Sequence, residues 1–150
     1  MPPAHLIHGY IGAGKTTLAR RLEQEHRAVR FSHDEWMAAL YGRDPALDQF
    51  DSHATRVPSL IEVCWRRCLS LGMDVVLDLG LWRRAERDRV RSVVQRLGAE
   101  SRLYHLHCSE DEARRRINHR RNYPFRKGMR HGYYRRRQAG KEGASQRSLG

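Results

Sequence analysis

Eight residues near the N-terminus, Gly9-Tyr10-Ile11-Gly12-Ala13-Gly14-Lys15-Thr16, have the types and spacing needed to hold a triphosphate. No single side chain balances that much negative charge. Successive backbone N–H groups can do so when the chain takes a tight path that points them all inward, and glycine permits that path. On this reading Gly9, Gly12 and Gly14 shape the loop, Lys15 reaches the β- and γ-phosphates, and the Thr16 hydroxyl holds Mg²⁺. Ala13 and Thr17 complete the set of phosphate contacts, and the helix that opens at Lys15 adds its positive end. Such a match arises by chance in roughly 0.5% of chains of this length, which makes it the strongest signal in the sequence.

Transfer of a phosphoryl group to a hydroxyl also needs a proton acceptor, and cations to meet the charge on the transferred group. In open parallel sheets, ligands lie beyond the carboxyl ends of the strands. Two acids fall there: Asp34, two residues past a strand expected over 28–32, and Asp78, which ends the apolar run Val75-Val76-Leu77. Asp34 is the candidate base; its competing role is an acid in the first turn of a helix capped by Ser32 and Glu35. His33, beside it, is a candidate substrate contact. Asp78 either orders Mg²⁺ through water, binds the acceptor, or bonds the backbone of the next turn.

Arg83, Arg84 and Arg87 gather at a helix N-terminus against the dipole, as an anion site would require, although Glu86 and Asp88 are at hand to pair with them. Arg83 and Arg87 are therefore substrate candidates, and Trp82 either lines the acceptor site or packs in the core. Further on, Arg116 and Arg120 stand four apart on one helix face among Arg114, Arg115 and Arg121. They are the candidates for stabilising the transferred group. The nine histidines form no metal site on this reading. His5 and His8, and His105 and His107, alternate along strands with no acid or cysteine placed to complete a shell.

Alternating strands and helices must position these groups. Strands are expected at 4–8, 28–32, 75–77 and 102–108, the third apolar on both faces as a covered parallel strand is. Helices are expected at 15–25, from 32 to about 40, at 57–71, at 84–97 and from a capping box at Ser109-Glu110-Asp111-Glu112. In the third helix Val57, Leu60, Ile61, Cys64, Cys68 and Leu71 make the apolar stripe, and residues 41–53 read as a loop or broken helix. Four alternations with right-handed crossovers give a three-layer α/β/α sandwich around a mostly parallel sheet of four or five strands.

The chain has 150 residues, one domain by length, and a net charge of +12. Thirteen Arg or Lys against three acids lie from Asp111 onward, so ten of those twelve charges belong to the last forty residues. The first 110 residues are therefore nearly neutral, and the expected core, residues 1–121, is followed by a basic tail, 122–150, which holds no Val or Ile and is expected to be partly disordered. Tyr123, Phe125, Tyr133 and Tyr134 are the contact-capable residues of the tail. No run approaches a membrane span and no export signal is evident, so the cytoplasm is the expected compartment. Cys64, Cys68 and Cys108 read as small core residues.

The runs Gly-Tyr-Ile-Gly-Ala-Gly-Lys-Thr-Thr-Leu-Ala-Arg, Ser-His-Asp-Glu-Trp, Asp-Val-Val-Leu-Asp-Leu-Gly-Leu-Trp-Arg-Arg-Ala-Glu-Arg-Asp and Arg-Arg-Arg-Ile-Asn-His-Arg resemble the small P-loop kinases grouped as AAA-type ATP-binding domains. These are related to polynucleotide 5′-kinase, chloramphenicol phosphotransferase and zeta-toxin kinases. The resemblance covers about residues 4–121 and implies a P-loop NTPase fold with ATP and Mg²⁺ as the donor system. It also implies Lys15 and Thr16 as phosphate and metal contacts, Asp34 as the base, and Arg116 and Arg120 as lid contacts. Past the lid such kinases continue with a segment near the adenine, where this chain has its arginine-rich tail.

The leading expectation is a kinase that transfers the γ-phosphoryl group of ATP to a hydroxyl of a small molecule. A polynucleotide 5′-hydroxyl kinase, with nucleic acid as a partner through the basic tail, is the first alternative. Its binding would weaken steeply as salt rises. A non-catalytic ATP-binding module with an altered C-terminus is the second.

Overall fold

The computed structural model describes residues 1–10, 12–42 and 47–121, with side chains described except at 47–54 and 120–121. The expectation for the tail, residues 122–150, lies outside the described residues, as does part of that for residues 41–53.

Four parallel strands, β1 (Pro3–Gly9), β2 (Val29–Ser32), β3 (Val75–Asp78) and β4 (Glu100–Leu106), pair in the order β2-β3-β1-β4. Five helices accompany them: α1 (Lys15–His26), α2 (His33–Tyr41), α3 (Leu47–Ser70), α4 (Arg84–Arg96) and α5 (Glu110–Arg121). The three-layer α/β expectation holds, with four strands among the described residues. The central strand β3 reads as an apolar run for the expected reason: both its faces are covered. Strand periodicity sorts the side chains. Ala4, Leu6, Phe31, Val75 and Leu77 join Val57, Ile61, Trp65 and Leu69 of α3 and Val90, Val93 and Val94 of α4 in one core. Ile7 and Val76 pack with Ala19 and Leu22 of α1 on the opposite face. Asp78 shares the parity of Val76 and so emerges on the α1 side, where the loop is.

Three expectations need correction. Helix α3 starts at Leu47, so residues 47–53 are helical and Pro58 lies inside the helix. Its buried stripe is Val57, Ile61, Trp65 and Leu69, while Leu60 and Leu71 are exposed. An indole buries far more apolar area than a thiol does, so the helix is rotated to seat Trp65 and leaves Cys64 and Cys68 at the margin. None of the three cysteines is fully buried. Strand β4 runs from Glu100 to Leu106 rather than from 102 to 108, because its register matches Pro3 to Glu100 and Gly9 to Leu106. Once β1 turns into the loop, β4 has no neighbour to pair with.

Candidate active site

The loop after β1 must bend sharply, and its glycines show how. Gly12 and Gly14 sit at φ 82° and 95°, in the left-handed region that side chains disfavour. Gly9 is needed for clearance instead: a Cβ there would stand 2.7 Å from the Leu106 carbonyl oxygen. Gly14 is the N-cap of α1, with no side-chain cap and no acid in the first turn. The positive end of the helix is therefore not neutralised locally and is available to an anion. Lys15 Nζ donates to the carbonyls of Gly9 and Tyr10, at 2.7 and 2.8 Å, and lies 4.9 Å from the centre of the Trp82 ring. Ala13 lines the loop, and Thr17 is exposed as the third residue of α1.

Beside the loop, Thr16 Oγ1 donates to Asp78 Oδ2 at 3.3 Å. Asp78 is buried, and burial pushes its carboxyl above the usual carboxylate range; the negative charge of Asp34 pushes the same way. Lys15, the Thr16 hydrogen bond and Arg30 pull it back. Asp34 and Asp78 are thus close enough to repel each other at the carboxyl ends of adjacent strands. A hydroxyl beside a carboxylate is a hard-oxygen donor pair, the type that suits Mg²⁺ held largely through water.

Asp34 lies in the first turn of α2, with its side chain 66% exposed and its Oδ1 3.8 Å from Nδ1 of the buried His33. The competing cap reading is met by other atoms. Ser32 Oγ accepts from the backbone N–H of Glu35 at 3.4 Å, while the Glu35 carboxylate turns to Arg30 and Arg20, at 3.0 and 3.5 Å. Capping and base chemistry therefore do not compete for the Asp34 carboxylate.

The helix-N-terminal arginines divide. Arg87 Nη1 donates to the carbonyls of Leu81 and Trp82, at 2.9 and 3.0 Å. Leu81 is held at φ 40° with its side chain buried, a strained state for a branched residue, and Arg87 fastens the turn that keeps it there. Arg83 is exposed, and its backbone N–H donates to Glu86 Oε2 at 3.3 Å. Trp82 is half-buried and meets Tyr10 edge-on, with ring centres 6.2 Å apart.

From the far side, α5 brings one arginine to the loop. A Cβ on Gly12 would stand 2.9 Å from the Ala113 carbonyl oxygen, so the first turns of α5 rest directly on that glycine. Arg116 Nη1 then donates to the Gly12 carbonyl at 3.1 Å, while its Nε is steadied by Glu112 Oε1 at 2.7 Å. Arg114 and Arg115 pair with Glu110 and Glu112 on the exposed side. Arg120 follows one turn after Arg116, and its side chain lies outside the described residues. Arg30 was missed by sequence reasoning. Only 12% exposed, its guanidinium binds Glu23 and Glu35 and joins α1, β2 and α2 behind the acids. The legible signal was an arginine in the middle of a short strand.

Comparison with known proteins fits this geometry. The AAA domain family matches residues 5–132. Among solved structures, a chain of the Pnkp1/Rnl/Hen1 RNA repair complex aligns at TM-score 0.71 with 18% identity, over 81% of this chain and 38% of that one. A chain of the PezAT toxin–antitoxin system of Streptococcus pneumoniae aligns at TM-score 0.66 with 20% identity, over 80% and 52%. Shikimate kinase from Acinetobacter baumannii aligns at TM-score 0.50 with 19% identity, over 83% and 66%. The chain thus spans well under two thirds of the first two of these. No curated protein sequence matches it. No described helix is long and apolar enough to cross a membrane. On the span of the family match and the shared strand–loop–helix geometry, this chain belongs to the AAA domain family and has the fold of the small P-loop kinases.

Proposed function

We propose that the protein is an ATP-dependent kinase that transfers the γ-phosphoryl group to a hydroxyl of a small molecule. The observation that carries this is the convergence of an uncapped helix start, Lys15, Arg116 and two carboxylates on different strand ends around one loop. A loop and helix start alone would bind nucleotide. The exposed acid at the mouth adds the means to activate an acceptor.

In the proposed reaction the acceptor hydroxyl gives its proton to Asp34 as its oxygen bonds to the γ-phosphorus, and the bond to the β-bridging oxygen breaks to release ADP. Lys15 leaves the loop carbonyls to meet the β- and γ-phosphates, and Arg116, with Arg120 behind it, meets the charge spread over the γ-oxygens. Thr16 and Asp78 would hold Mg²⁺, which when bound neutralises phosphate charge. Arg83 and Trp82 border the acceptor side, and Arg87 acts there by holding the turn. On this reading the kinase core is residues 1–121, followed in sequence by the basic residues 122–150.

The test is transfer from γ-labelled ATP with magnesium to a panel of sugars, antibiotics, nucleosides and 5′-hydroxyl oligonucleotides. Label is expected on a small hydroxyl acceptor, with little dependence on salt, and none is expected with Lys15→Ala. ATP binding without transfer to any acceptor would leave a nucleotide-binding module. Salt-sensitive labelling of oligonucleotides alone would move the substrate to nucleic acid.

A further inference from the structure

At the end of the sheet opposite the loop, three potential ligands that are remote in sequence come together. His5 lies in β1, His26 ends α1, and Asp74 immediately precedes β3. One ligand atom from each lies within 4.8 Å of the others. The imidazole rings of His5 and His26 are 4.5 Å apart, centre to centre. Four residues of strand, about 13 Å at the usual rise, separate His5 from Gly9, so this cluster is separate from the nucleotide loop.

His5 has the strand parity of Ile7 and faces α1, where it is fully buried. Its Nδ1 is 2.9 Å from the Tyr104 hydroxyl. Its Nε2 is buried with no hydrogen-bond partner among the described residues. A buried polar nitrogen left in that state is destabilising, and its ring belongs to the cluster that holds His26 and Asp74. We infer that His5, His26 and Asp74 form a binding site for a zinc-class divalent cation, taken by His5 through Nε2, with water as the fourth ligand.

The surroundings fit. With Nδ1–H donating to Tyr104, the neutral tautomer leaves the Nε2 lone pair for the metal, the arrangement by which metal-binding histidines are oriented. Burial, followed by the charges of His26 and Arg102, holds the His5 imidazole below its ordinary range. Two imidazoles with one carboxylate favour zinc over magnesium or calcium, which prefer oxygen. Tetrahedral zinc needs ligand atoms about 3.3 Å apart, a closure that His26 and Asp74, neither of them buried, can supply by side-chain rotation. His26 also stands in the last turn of α1, where the helix dipole favours a cation. The opposing charge is Arg102, which is engaged by Glu100 at 3.2 Å.

The expectation that the histidines make no metal site is thereby revised. Spacing along β1 or β4 does not show the acid partner, which arrives from the turn before β3. The bound ion would tie the far end of α1 to the sheet, and so steady the helix whose other end forms the loop.

Zinc chloride titrated into the full chain by calorimetry, with thermal melts in parallel, tests this. One tight equivalent is expected, together with a rise in Tm of about 5–10 °C when zinc is at a hundredfold excess over Kd. His26→Ala and Asp74→Asn, both partly exposed, should fold with unchanged circular dichroism and ATP affinity yet bind zinc at least tenfold more weakly. Cobalt in place of zinc should give tetrahedral visible bands that both variants lose. No tight equivalent in the parent chain, or equal zinc affinity in both variants, would overturn the assignment. Because ATP affinity is read separately, failure here leaves the kinase proposal standing, and the converse also holds.

Discussion

Replacing Gly12 with alanine puts the contact between loop and lid helix to a quantitative test. Two costs add. At φ 82° an alanine pays about 1–2 kcal/mol for left-handed backbone. Its Cβ also stands 2.9 Å from the carbonyl oxygen and 3.2 Å from the Cα of Ala113, backbone atoms that can yield only if α5 shifts. Overpacking of that kind costs about 1–3 kcal/mol. The sum, about 2–5 kcal/mol, lowers Tm by about 5–15 °C in a domain of this size. Gly98 supplies the control: its φ is 71°, and nothing lies within 4 Å of the site of a Cβ. Gly98→Ala should therefore cost the backbone share alone, about 1–2 kcal/mol. Urea denaturation of the two variants, compared at equal m, separates the shares. Calorimetric ATP titration adds a second reading, since a displaced α5 takes Arg116 away from the loop. If Gly12→Ala proves no more costly than Gly98→Ala, the packing of α5 on the loop is wrong, and the placement of Arg116 fails with it.

Asp34→Asn should leave ATP affinity near the parent value and depress transfer by about 10² or more, as loss of a general base does; single-turnover rates measure this, and an unchanged rate would reduce Asp34 to an ordinary first-turn acid. Arg116→Ala should lower kcat by about 10³ with a much smaller change in the KM for ATP, whereas equal losses in both would mark it as a binding residue. For Asp78 the sign is fixed by its raised pKa, caused first by burial and then by Asp34. A carboxyl that holds its proton more tightly when folded stabilises the fold fully below its unfolded pKa, and that contribution is lost as pH rises through the folded value. Asp78→Asn is therefore expected to melt higher than the parent at neutral pH, with the gap closing toward about pH 4, while losing magnesium-dependent activity. A lower Tm at neutral pH would contradict this.

Much of this site could be read from the chain because its parts are local. The loop, the strand before it and the helix after it are contiguous, and their glycines answer to backbone geometry that no neighbour can override. Asp34 and Asp78 were found by a rule about strand ends, and the parallel order of the sheet brings those ends together. What escaped depends on partners distant in sequence. The face that α3 turns inward was decided by Trp65 against cysteines at similar spacing, which is a matter of buried area and not of period. The limits of β4 were set by where β1 stops. Sequence offers Arg87 either an anionic substrate or the nearby acids as partners, and does not show the carbonyls of Leu81 and Trp82 to which it donates. Arg30, and the grouping of His5, His26 and Asp74, appear only when separate elements are docked.

The loop's own carbonyls carry a final consequence. Lys15 and Arg116 rest on the oxygens of Gly9, Tyr10 and Gly12. An incoming polyphosphate has only to re-aim cations already beside it, and so meets a small reorganisation barrier. An uncharged ligand that drew them away would strand three acceptors without offering comparable charge in return. The resting hydrogen bonds therefore favour a polyphosphate over an uncharged group at the loop.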